Sequence, residues 1–137
     1  MVGITSKTVY AVAALYQLGS CEKNQTLKIK EIAAKAKIPQ RFLEQILLEL
    51  RKNRVLASIK GAHGGYKLAK PLEEIKLSEI ISILENDISS DICKTNNSVL
   101  KLFWSNVQSN LNTVFDTPLS EFKRCEEKIN QIVNFSI

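Results

Sequence analysis

Histidine, proline, cysteine and glycine are all scarce in this chain: 1, 3, 3 and 5 of its 137 residues. Each scarcity excludes something. The single histidine, His63, has no nucleophile or acid–base partner pattern around it in the sequence, so an enzyme is not expected. The three cysteines, Cys21, Cys93 and Cys125, are odd in number and widely spaced and form no CxxC pair, which argues against a disulfide framework. No apolar run approaches the ~18 residues of a membrane span. The opening stretch MVGITSKTVYAVAALYQLG lacks the unbroken apolar block and small-residue cleavage site of a signal peptide. These absences lead to the expectation of a cytoplasmic protein with no membrane partner. Glycine is not only rare but clustered, with Gly61, Gly64 and Gly65 inside the stretch IKGAHGGYKLAK.

What is present is a 45% hydrophobic chain, enough for a real core, with an uneven charge. Residues 1–76 carry 14 Lys and Arg against 6 Asp and Glu, a net +8, whereas residues 77–137 carry 5 against 8, a net −3. A basic half suggests a polyanionic partner. Apolar spacing predicts a helix over 5–19, with Val9, Val12, Ala13 and Tyr16 inward beside Leu15 or Leu18. A short helix in TLKIKEIAAKAKI follows, with Ile32, Ala33 and Ala36 inward, and a third helix begins near Pro39. In that third helix Leu43, Ile46, Leu47 and Leu50 form the core stripe. The outer face holds Arg41, Gln45, Leu48 and Lys52, with Glu44 beside it. The pattern suits a helix-turn-helix, or else a helical hairpin with a solvated charged face. Two alternating runs then flank GAHGG, with Val55, Ala57 and Ile59 on one and Tyr66 and Leu68 on the other, which predicts a β-hairpin. Glycines at its tip let backbone approach a surface closely, between Lys60 and Lys67. A tight turn needing glycine only for its own geometry is the alternative.

The expected fold is mainly α with a small β-hairpin: a winged helix-turn-helix over 1–76, then a linker helix, a polar loop and a long C-terminal dimerisation helix over 77–137. Ser78 is the expected N-cap of the linker helix. In the long helix Leu100, Trp104, Val107, Leu111 and Val114 recur at alternating spacings of 4 and 3, widened by Phe103 and Phe115. No charged residue occurs from Leu102 to Phe115. Such a helix is expected to pack on its counterpart in a homodimer; packing on its own winged domain is the alternative.

The run FLEQILLELRKNRVLASIKGAHGGYKLAK, followed by IKLSEIISILENDIS, resembles the Rrf2 family of bacterial winged-helix regulators over about Ile4 to Phe122. The resemblance implies a homodimer that binds double-stranded DNA sequence-specifically and regulates transcription, usually as a repressor. By position it implies DNA contacts from Gln40, Arg41, Phe42, Glu44, Gln45 and Lys52 on the recognition helix. It also implies contacts from Lys60, Gly61, His63, Gly64 and Gly65 on the wing. Arginine suits guanine, glutamine suits adenine, and glutamate accepts from cytosine. The chain departs from the family at three places. Lys60 stands where arginine is common, and lysine lacks the planar fork. SKTVYAV stands where KGRYAL is common, leaving Lys7 and Thr8 as the candidates for backbone phosphate there. Cluster-binding relatives carry three closely spaced cysteines after the linker helix, whereas this chain has Cys93 alone, and an iron–sulfur cluster takes four ligands. The expectation is therefore no cofactor and no metal, as in the clusterless, CymR-like branch. Control would run through a regulatory protein partner, a small molecule or oxidation of Cys93 as a redox sensor. A cluster held by unusual ligands and a winged-helix protein-interaction module are the two alternatives.

Overall fold

The computed structural model of the chain describes residues 4–85 and 96–135. Its helices are α1 (Ser6–Gly19), α2 (Ile29–Ala36), α3 (Gln40–Lys52), α4 (Leu77–Leu84), α5 (Ser98–Phe115) and α6 (Glu121–Phe135), and its strands are β1 (Leu56–Ile59) and β2 (Gly65–Leu68). Cys93 and most of the polar loop lie outside the described residues.

The core forms where four helices and the hairpin meet. From α3 come Leu43, Ile46, Leu47 and Leu50, all buried, as the 3.6-residue spacing predicts. From α2 comes Ile32. The side chain of Glu31 accepts from the Lys28 N–H at 3.0 Å and so fixes the start of that helix. Helix α1 corrects the sequence expectation. Its core face is Ala11, Ala14, Leu15 and Leu18, together with Thr8, while Val9 is 57% exposed. Val12, Ala13 and Tyr16 are half-buried and face α6 across an open groove of about 680 Å3. Most of the circumference of α1 is apolar, so the period alone does not say which side meets the core.

Between α2 and α3 the chain turns in three residues. Lys37 takes a left-handed conformation (φ +58°), Ile38 is buried and Pro39 precedes the first turn of α3. At the other end of α3, Arg54 is again left-handed (φ +62°) and the Val55 N–H returns to the Leu50 carbonyl at 3.0 Å. Val55 is buried, as expected, but its N–H belongs to the end of α3 while only its carbonyl enters the hairpin, accepting from the Ala69 N–H at 2.9 Å. The inward position of β1 is consequently Leu56, and Ile59 is 44% exposed, one step out of the phase expected from Val55, Ala57 and Ile59. β1 pairs antiparallel with β2 in the register Leu56 to Leu68 and Ser58 to Tyr66. A third segment joins the ribbon, since Leu27 and Tyr66 exchange both backbone hydrogen bonds at 2.9 and 2.7 Å.

α4 starts at Leu77 with Lys76 at its N-cap, two residues earlier than a Ser78 cap would place it. Its Ile80 and Leu84, with Ile75 and Leu119, belong to the same core cluster as α1 to α3. The chain after α5 returns to this core through the Leu77 N–H on Thr117 (2.9 Å) and the Leu119 N–H on Ile75 (2.8 Å). Packing is thus continuous across residue 76. In α5, capped by the Asn97 side chain accepting from the Val99 and Leu100 N–H groups, no residue is buried. α6 is tied to α1 by Tyr16, whose ring meets Phe122 edge-on at 5.2 Å and whose hydroxyl donates to Glu126 at 2.5 Å.

Candidate nucleic-acid interface

The first half of the site is the outer face of α3. Burial of the Leu43–Leu50 stripe turns Arg41, Phe42, Glu44, Gln45 and Lys52 to solvent, and Gln40 is half-buried at the helix start. Phe42, 43% exposed, packs on Tyr10 of α1 with ring centroids 5.8 Å apart. The Arg41 guanidinium sits 4.8 Å from the centre of the Phe42 ring. Gln45 donates its side-chain amide to Glu49 at 2.8 Å. Leu48 is half-buried, so the outer face is more polar than the sequence suggested. A shallow groove of about 480 Å3 runs between this helix and the start of α1, lined by Thr5, Ser6 and Lys7 on one side and Arg41, Phe42 and Gln45 on the other.

Thr8 does not belong to this surface. It is 1% exposed and its hydroxyl donates to the Glu85 carboxylate at 3.0 Å. The same oxygen accepts from the Thr5 N–H at 3.1 Å and from the Thr5 hydroxyl. These bonds hold the Glu85 carboxyl below the usual carboxylate range. The Thr5 hydroxyl contributes most, burial opposes it, and the Thr5 N–H, the Thr8 hydroxyl and the charge of Lys7 add to it. The last residue of the linker segment thus clamps the first turn of α1 beside the groove. Nothing in the sequence pairs Glu85 with Thr5 and Thr8 across some eighty positions; only the fold does.

The second half is the hairpin tip. Lys60, Gly61, Ala62 and His63 are exposed there, and the Thr26 hydroxyl donates to the His63 carbonyl at 3.0 Å. Arg51 at the end of α3 reaches Ser58 of β1 at 3.4 Å, linking helix to wing. The three glycines divide by task. Gly61 has φ +111° and open space around it. Gly64 is buried, and a Cβ there would lie 2.2 Å from the Ile59 carbonyl oxygen. Gly65 has φ +150°, and a Cβ would lie 2.6 Å from the Leu27 carbonyl oxygen. Gly64 and Gly65 therefore close the hairpin onto itself and onto the Leu27 segment, leaving Gly61 as the one glycine of the cluster on the open tip.

Electrostatically the amino-terminal half is poorly compensated. Among the described residues the ion pairs are Lys70–Glu79 at 2.6 Å and Arg124–Glu121 at 3.5 Å, so Arg41, Lys52 and Lys60 form no ion pair there, while the charge of Lys7 acts on Glu85 from beyond ion-pair distance. No group of three or more His, Cys, Asp or Glu able to hold a metal ion occurs among the described residues. The Cys21 thiol donates to the Gln17 carbonyl at 3.3 Å beyond the end of α1, and Cys125 lines the α1–α6 groove. The two occupy different clefts, and the described residues do not fit an iron–sulfur cluster. No described helix is long and apolar enough to cross a membrane.

A short helix, a three-residue turn, a second helix with a basic outer face and a glycine-tipped hairpin together define a winged-helix protein. The family model described as an iron-dependent transcriptional regulator matches residues 4–118, and the chain belongs to that family, the Rrf2 transcriptional regulators. A putative Rrf2-like helix-turn-helix regulator of Rhodobacter capsulatus is 42% identical over 66% of this chain and 62% of its own length, so the chain spans about three fifths of that relative. Among solved structures, CymR, the global cysteine regulator of B. subtilis, superposes with a TM-score of 0.79 at 27% identity, over 89% of this chain and 96% of that one. IscR of T. potens superposes at 0.77 and 30% identity, over 93% and 90%.

Proposed function

We propose that this regulator acts as a homodimer that binds double-stranded DNA sequence-specifically and represses by occupying its operator. The observation that carries the reading is the shared basic surface of α3, the start of α1 and the wing, where Arg41, Lys52 and Lys60 form no ion pair among the described residues. Helix α3 has the width for a major groove, and the tip at Lys60 to His63 is slim enough to follow phosphates or an adjacent minor groove. In this reading residues 1–76 contact DNA and residues 77–137 assemble the dimer. The test is duplex binding by fluorescence anisotropy as a function of salt. Replacing one phosphate-contacting lysine lowers the salt slope by about 1. Lys60→Ala is expected to do so and to weaken all sequences alike; an unchanged slope and affinity at low salt removes the wing from the interface.

Control in this reading does not pass through an iron–sulfur cluster. Its supports are the single cysteine between α4 and α5 in the sequence and the placement of Cys21 and Cys125 in separate clefts. Thiol chemistry at Cys93, a small molecule or a regulatory protein partner then supplies the signal. Protein purified without oxygen is expected to be colourless and free of iron. A coloured, iron-containing preparation overturns this part and favours a cluster with unusual ligands, in line with the family description.

A further inference from the structure

The three side chains stacked beside the groove bear on which bases are read. Arg41 is the second residue of α3, and the first turns of a recognition helix are the part that meets base edges. Its guanidinium is shelved on Phe42, and Phe42 is shelved in turn on Tyr10, with ring planes 32° apart. A cation over an aromatic face is attracted by the ring quadrupole, so part of the rotamer freedom of a long side chain is already lost before binding. No carboxylate among the described residues engages Arg41, which leaves its hydrogen-bonding edges open. Gln45, one turn later, spends one of its two amide hydrogens on Glu49, which draws its side chain along its own helix.

We infer that Arg41 reads a guanine in each half-site of the bound duplex and that Tyr10 and Phe42 are positioning residues that set the strength of this selection. The inference deepens the DNA-binding reading above and rests on it. The planar fork meets guanine O6 and N7 in the major groove, held at a fixed height by the two rings. The exposed edge of Phe42 is left to meet an apolar group, which in this groove is the methyl of a neighbouring thymine. Specificity thus depends on α1 as well as on α3, through a stack between residues that are distant in the sequence.

The test is selection from a randomised duplex library, with binding to a random-sequence duplex at low salt as a control for fold and charge. The wild-type protein is expected to enrich half-sites containing one strongly selected guanine. Arg41→Lys keeps the charge, loses the fork, and is expected to lower selection of that guanine about tenfold, a larger factor than any loss of binding to the random-sequence duplex. Phe42→Leu and Tyr10→Leu retain Arg41 and are expected to lower the same selection by a smaller factor, whereas Phe42→Tyr preserves it. Full guanine selection by Arg41→Lys overturns the reader, and full selection by both leucine variants overturns the shelf. If Tyr10→Leu fails to fold, as melting temperature would show, Phe42→Leu decides the shelf alone. A wild-type protein that enriches no sequence at all overturns the DNA-binding reading itself, an outcome separate from the other two.

Discussion

At Gly65 the backbone has φ +150°, a conformation that side chains of L-residues rarely adopt, and the space a Cβ needs is taken by the Leu27 carbonyl. Gly61 is also at positive φ, but its surroundings are empty. The two sites share a conformational cost and differ in a steric one. Gly61→Ala is expected to destabilise by about 1 kcal/mol, and Gly65→Ala by about 2 kcal/mol or more, because the Leu27–Tyr66 exchange of hydrogen bonds must open as well. Urea denaturation of the two variants measures this; equal midpoints for both show that the Leu27 contact does not constrain the wing. The cluster IKGAHGGYKLAK was legible as a glycine-tipped turn from its residues alone. What its glycines are for was not. In the sequence all three look available to a ligand, and only the Leu27 segment, some forty residues upstream, shows that Gly65 serves the packing of the hairpin.

Among the elements, α3 was the most legible and α1 the least. A helix with four leucine and isoleucine positions on one side and charge on the other has only one way to bury its apolar stripe. α1 has two apolar sides, one for the core and one for α6, and its period fits both. The strands show a third case. β1 follows a left-handed Arg54 that uses up Val55, and a shift of one residue exchanges inward for outward positions. Thr8, expected among the exposed contacts, is buried for a related reason: its partner is Glu85, at the end of α4, and no local signal joins them. That contact makes a prediction about pH. The Glu85 carboxyl is held below its ordinary value, chiefly by the Thr5 hydroxyl. Its folded pKa lies below the unfolded value of about 4.3, so the stabilisation is full above that pH and is lost as pH falls through the folded value. Glu85→Gln keeps an acceptor and loses the charge, and is expected to cost about 1 kcal/mol at pH 7. The gap between wild type and variant should close in thermal melts taken from pH 7 down to about 3. A gap that stays constant with pH shows that the charge is not what holds the start of α1.

For the whole molecule the decisive feature is α5. In the isolated chain Leu100, Phe103 and Val114 are 45%, 55% and 64% exposed, Trp104 is 37% exposed, and Val107 and Leu111 are half-buried. Phe103 and Trp104 meet edge-on at 5.2 Å, so this apolar surface is partly ordered on its own. No charge flanks it from Leu102 to Phe115, so an exposed apolar patch of this kind is a candidate contact surface. An isologous pairing of two α5 helices covers the seam twice with one set of residues and relates two copies of α3 and the wing by a two-fold axis. In the proposed dimer, two recognition helices related in this way would meet half-sites about one helical turn of DNA apart, or a multiple of it, and the operator would inherit the symmetry. Trp104→Glu and Leu111→Glu place a carboxylate in the seam without touching the buried core of α1 to α4. Each is expected to yield a folded monomer by sedimentation velocity, with a melting temperature that no longer rises with protein concentration, as the wild-type dimer's should. On a duplex with two half-sites these variants should bind far more weakly than wild type, yet match it on sequence-random DNA per protomer at low salt, because the contacts of each wing are intact and only their linkage is lost. A wild-type protein that sediments as a monomer at all concentrations would assign α5 to another partner and leave a single recognition helix to find its site alone.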